Sequence, residues 1–216
     1  MSQHINLKEL EKKAWKSYFQ DGLWDIFLGL ILLAMAVNDL VIDIGLSKSW
    51  EYGIFIGVEG LALLVLFVGK KFITVPRIGH VKFGPTRKAK NKKVVIILTI
   101  TFLINVMLYI LLATRSLPPG WENWLKENVL PFGFGVFIIL VFSLIAYFMD
   151  FNRLYIHGTL FGLAVPVDKM MEKYTDFTYT GLIAFSIPTT ISLLIGLTVF
   201  IRFLRNYPLP AKEVLQ

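Results

Sequence analysis

The sequence predicts an all-α protein, a polytopic transmembrane helix bundle of six spans preceded by an N-terminal amphipathic helix lying on the membrane surface. Three observations carry that reading. First, 56% of the 216 residues are hydrophobic and only 17% are Asp, Glu, Lys or Arg, whereas a soluble domain is about a quarter charged, so this chain cannot cover itself with polar surface. Second, apolar runs long enough to cross a bilayer recur along the chain. Third, the 22 basic residues are clustered between particular runs rather than scattered. There are no cysteines, which excludes disulfides and thiolate chemistry.

Residues 1–20 form the surface helix. In "INLKELEKKAWKSYF", Leu7, Leu10, Ala14 and Tyr18 recur at helical spacing with lysines on the remaining arc, the pattern of a helix resting on anionic headgroups. Residues 21–216 form a single transmembrane domain. The first span, about 22–40, carries Asp25 and Asp39, and its "AMA" imitates a signal-peptidase site. Asp21 and Asp25 interrupt the apolar start, so a retained helix is expected. The second, 52–69, carries only Glu59. The third and fourth, 94–113 and 129–149, contain no formal charge. Between them "LPPGWENWLKENVLP" offers Trp121, Trp124 and Leu125 as an interfacial anchor.

The fifth span, 154–171, is the weakest, because only 14 residues precede "DKMMEKY". Charge bias supports it. With six spans, ending at 179–201, 17 of the 22 Lys and Arg fall on one side, and the positive-inside rule makes that side, with both termini, cytoplasmic. With five spans Arg202, Arg205 and Lys212 would move to the opposite side.

Four residues are candidates for an intramembrane polar site: Glu59, Asp25, Asn105 and His157. Glu59 lies at mid-span, where a charge is costliest, and such groups pair, face the bundle interior or stay protonated. Thr101, Asn105 and Tyr109 form a polar stripe that could meet it. Asp25 and Asp39 sit nearer the interfaces, where ordinary solvation is expected. On the first span Asp21, Gly22, Asp25, Gly29, Leu32, Ala36 and Asp39 share an arc of about 100°, a face suited to close helix packing. Gly53, Gly57 and Gly60 form a second small-residue stripe, about 120° from Glu59.

The loop 70–93, "KKFITVPRIGHVKFGPTRKAKNKK", is basic and broken by Pro76, Gly79, Gly84 and Pro85. Within it "RIGHVKF" alternates like an extended segment. Arg77, Lys82, Arg87, Lys88, Lys90, Lys92 and Lys93 are candidate contacts for anionic lipid. No reading motif for nucleic acid accompanies the charge, so membrane lipids are the expected partners, together with a homodimer mate or a partner membrane subunit. H-E-x-x-H, G-x-S-x-G, P-loop and G-x-G-x-x-G patterns are missing, and His4, His80 and His157 give no metal spacing. No enzymatic activity, metal or cofactor is therefore expected.

The stretches "DGLWDIFLGL" (21–30), "PRIGHVKFGP" (76–85) and "FLRNYPLP" (203–210) resemble an uncharacterised group of small prokaryotic multi-span membrane proteins. The resemblance implies the plasma (inner) membrane of a prokaryote and carries no activity. Two functions fit these residues: an accessory or regulatory protein binding lipid or a membrane partner, and a small proton- or cation-linked transporter using Glu59.

Overall fold

A computed structural model of the chain describes residue 15 and residues 18–79, 84–114, 124–125 and 129–209. These fold into six long helices, with no strand among the described residues. Five helices are long and apolar enough to cross a membrane. They are α1 (Leu23–Asp43), α2 (Lys48–Ile78), α3 (Pro85–Ala113, whose apolar stretch is Arg87–Leu111), α4 (Leu130–Met149) and α6 (Thr180–Asn206). The remaining helix, α5 (Arg153–Tyr174), is 22 residues long and carries Arg153 at its start and Asp168, Lys169, Glu172 and Lys173 in its last two turns.

Every expected span corresponds to a helix, and the largest difference is in the basic loop. α2 does not stop at Gly69. It passes through a π-helical stretch, Lys70–Thr74, and ends with one further α turn, Val75–Ile78. α3 begins at Pro85, whose fixed φ suits a helix start. Most of 70–93 is therefore helical, and the helix breaks at Gly79, which has φ 73°, and resumes at Pro85. The extended segment expected near Val81 and Lys82 lies outside the described residues, as does the surface helix before Trp15. In the 115–128 anchor, only Trp124 and Leu125 fall within them.

The helices pack in the order α3–α4–α5–α6–α1–α2. α5 and α6 lie at the centre of this row, α1 rests on α6, and α2 and α3 form its two ends. Both ends of α5 are tied to α1 and α6. Arg153 meets Asp25 near the start of α1, and at the far end Asp168 accepts a 2.9 Å hydrogen bond from Thr180 of α6. Where α1 meets α6, Gly22 has φ 73° and lies so close to Gly196 and Phe200 that a side chain would strike their backbone, so glycine is required there on both counts.

One end of the bundle is basic, because the start of α1, the end of α2, the starts of α3 and α5 and the end of α6 all reach it. Trp15 and Phe19 plug this end, each only 4% exposed. The Trp15 indole donates to the Met149 carbonyl at 2.6 Å, and Phe19 stacks on Phe151 at 5.0 Å. This apolar lid withdraws the charges beneath it from water.

Candidate functional site

Beneath that lid lie the most deeply buried charges in the described structure. Asp21 precedes α1 across the left-handed Gly22, and Asp25 lies in the first turn of that helix. Arg153 and His157 on α5 are one helical turn apart and face Asp25 together. Arg153 grips Asp25 through Nε, 3.0 Å and 3.2 Å from the two carboxylate oxygens, and through Nη2 at 2.9 Å. The same Nη2 donates to the Phe19 carbonyl at 2.5 Å. His157 Nε2 lies 2.8 Å from the other Asp25 oxygen contact, Oδ1, and its Nδ1 is 3.1 Å from Ser192 Oγ on α6. Asp25, His157 and Ser192 are all at 0% exposure. One carboxylate thus binds α1 to α5 directly and to α6 through the imidazole.

Asp21 organises a second, adjacent pairing. Its Oδ2 receives Lys70 Nζ and Thr74 Oγ1, both at 2.6 Å, while Oδ1 accepts the Leu23 amide at 3.2 Å. Lys70 also donates to the Tyr18 carbonyl at 2.5 Å and lies 3.9 Å from the centre of the Tyr18 ring. The i→i+5 bonding of the Lys70–Thr74 stretch widens the turn, and both of its terminal side chains reach Asp21. A buried cation and anion separated from their partners would each carry a desolvation cost of several kcal/mol, so the two clusters are held together by necessity as well as by attraction.

A third pairing closes the basic end. Arg87, 7% exposed, and Lys90 of α3 both donate to Asp150. Asp150 follows α4 in the left-handed region at φ 53°. Burial opposes its charge, yet the hydrogen bonds from Arg87 and Lys90 hold its carboxyl below the usual carboxylate range. Arg87 also lies 5.3 Å from the Trp15 ring, which joins this pairing to the lid.

The candidates read from the sequence divide accordingly. Asp25 and His157 come together as a bonded pair, and the expectation of ordinary solvation for Asp25 is overturned by its complete burial. Glu59 and Asn105 are not brought together. Asn105 is exposed on α3 and donates to Thr101 O of its own helix at 2.9 Å, while α2 and α3 sit at opposite ends of the helix row. Glu59 is half-buried, with no hydrogen bond or ion pair among the described residues. At 100° per residue it lies within about 60° of Ala62 and about 20° of Leu66, which are buried residues of α2. It therefore borders the packed side of that helix. Asp39 is half-buried at the opposite end, in a cavity shared with Asp168 and Thr180.

Among the basic candidates, Arg87 is not a free lipid contact, because Asp150 already engages it. Lys90 shares that carboxylate, and Arg77 caps the Ile73 carbonyl at 2.9 Å. Lys88, Lys92 and Lys93 are exposed, with Lys93 also 5.3 Å from the Phe148 ring. Lys82 lies outside the described residues. The sequence reading missed Arg153, and it offered Ser192 on the sixth span as a polar group for Glu59 rather than for His157. The signal for Arg153 was present: "DGLWD" and "RLYIH" set acid–acid and base–base pairs at matching i, i+4 spacing.

Ser192, His157 and Asp25 are connected as in a hydrolase relay, yet at 0% exposure the serine offers no approach to a substrate. The arrangement can lock three helices and can hold a proton between Asp25 and Ser192. No family model, curated protein or solved structure matches this chain.

Proposed function

We propose that this membrane protein is an accessory or regulatory component that associates, through the outward face of α2, with a helix of a partner membrane subunit. The observation that carries this reading is the state of α2. Gly53, Gly57 and Gly60 have nothing within 4 Å of where a side chain would begin, and mid-span Glu59 has no partner in the described chain. A carboxylate at that depth costs about 2.5–3.5 kcal/mol unless something covers or protonates it, and a bare glycine face lets another helix approach closely. On the positive-inside rule the basic end, with both termini, faces the cytoplasm of a prokaryotic cell, and the exposed lysines at the start of α3 rest on anionic headgroups.

Native mass spectrometry of the protein released gently from its own membrane tests the association. A stoichiometric second polypeptide that is lost in Gly57→Leu supports the reading. A homodimer split by the same substitution makes the partner a second copy. A monomer from every membrane source ends the proposal. The orientation has its own check, since a fluorescent tag after Gln216 should mature only if that end is cytoplasmic.

A second reading, proton-linked transport, draws support from a different residue than the sequence suggested. His157 sits between an anion and a hydroxyl, so one proton on Nδ1 reverses the sense of its bond to Ser192. The charged groups around it are Asp25 and Arg153, with Asp21 and Lys70 in the adjoining cluster. If this reading holds, His157→Gln abolishes pH-driven flux in vesicles and Glu59→Gln does not; flux that survives His157→Gln rejects it.

A further inference from the structure

A cavity of about 310 Å³ opens at the basic end against α6, lined by Arg153, Arg202, Asn206 and Tyr207 over an apolar floor of Val199 and Phe203. A second hollow of about 440 Å³ adjoins it, shares Arg202 and Asn206, and adds Arg205, Thr198 and Ile201. From these observations we infer that this double hollow is a binding site for a phosphate ester group, distinct from the lysines around residue 90.

The donors have different degrees of freedom. Arg153 is committed to Asp25 and Phe19 through Nε and Nη2, which fixes its guanidinium plane and leaves Nη1 without a bond in the described structure. Arg202 and Arg205 are exposed and have no ion-pair or hydrogen-bond partner among the described residues. The charge of Arg153 is balanced by Asp25, so the local excess is carried by these two arginines. It also outweighs the partial negative charge, about half a unit, that the end of α6 contributes. Planar guanidinium forks match phosphate oxygens in pairs, a geometry a lysine cannot supply. Asn206 and Tyr207 add neutral donors.

The surroundings favour an amphiphilic ligand. Arg202 lies about 6 Å, four residues, from the end of α6, the depth of a headgroup phosphate. Val199, Ile201 and Thr198 continue the hollow toward the apolar part of the span, where an acyl chain would lie. The site does not rest on the docking reading, because it uses neither α2 nor α3.

The test uses the full chain in nanodiscs of phosphatidylcholine with or without phosphatidylglycerol, and in detergent with sodium phosphate. Native mass spectrometry counts retained lipid, and thermal melting reports binding. The wild type should retain phosphatidylglycerol in preference to phosphatidylcholine. The double variant Arg202→Gln/Arg205→Gln should lose that preference by about tenfold or more while melting at the wild-type temperature without ligand, since neither side chain has a partner. The double variant Lys88→Gln/Lys92→Gln should keep it. If millimolar phosphate raises the melting temperature in an Arg202-dependent way and no lipid preference exists, the phosphate is taken free rather than from a headgroup. The inference is overturned if the arginine variant binds both probes like wild type, if the lysine variant loses as much, or if neither probe binds.

Discussion

The glycines of this protein divide into two groups. Those on α1, α5 and α6, and Gly135 on α4, sit in direct helix contacts: Gly22 against Gly196, Gly29 against Leu193, Gly135 against Gly162 and Pro166, Gly158 against Phe142. Those in the middle of α2 face open space. The charges divide the same way, since Asp21, Asp25, Lys70 and His157 are buried and paired and half-buried Arg153 is bound to Asp25, while half-buried Glu59 is unpaired among the described residues. A small residue or an acid within a span is therefore no guide by itself to packing. What decides is whether another helix of the same chain supplies the opposing surface.

The largest effect expected on the packed side is from Asp25→Asn, which removes the fully buried anion that Arg153 and His157 both engage. Removing one partner of a buried ion pair costs about 3–5 kcal/mol, and the yield of monodisperse protein after detergent extraction should collapse. Yield and melting equal to wild type would mean that the cluster does not hold the bundle together. Next comes a matched pair. Gly162→Val drives a side chain into Ile139 and the Gly135 carbonyl and should cost about 1–3 kcal/mol. Gly57→Val meets nothing and should leave the melting temperature of the isolated chain within about 1 °C. Equal effects at the two positions would erase the distinction between packed and open glycines.

Ser192→Ala is a finer probe. It removes one buried neutral hydrogen bond to His157 and should cost about 1 kcal/mol, a shift resolvable by melting but not by yield. The smallest effect concerns pH. Asp150 lies outside the spans, and its carboxyl is held below the usual range. Its contribution is therefore present above the ordinary carboxylate pKa, about 4, and is lost as pH falls through the depressed folded value. Asp150→Asn should lower the melting temperature slightly at pH 7 and leave the wild-type and variant curves converging in acid. A difference that grows as pH falls would contradict the pairing with Arg87 and Lys90.

Much of the fold was legible because the bilayer makes severe demands on length and hydropathy. A run such as 130–149 has one stable outcome in a membrane, a helix, and each expected span corresponds to one here. The basic stretch 70–93 misled for a physical reason: proline and glycine mark breaks in an isolated chain, but Lys70 and Thr74 gain a buried carboxylate by staying helical. Asp25 was read as solvated from its depth alone. The aromatic lid of Trp15 and Phe19 removed the water that depth would ordinarily provide.

By itself, then, the sequence determined that the chain is a bundle of membrane-crossing helices with one basic end, because hydropathy and the clustering of charge are properties of composition and order. Only the tertiary structure decided which polar groups matter together. Asp21 and Lys70, Asp25 and His157, and His157 and Ser192 are separated by between 35 and 132 residues. Their partnership follows from the packing order α5–α6–α1–α2 and from side chains that meet where the helices end. Local periodicity contains no information about that meeting, because it depends on which helix lies beside which.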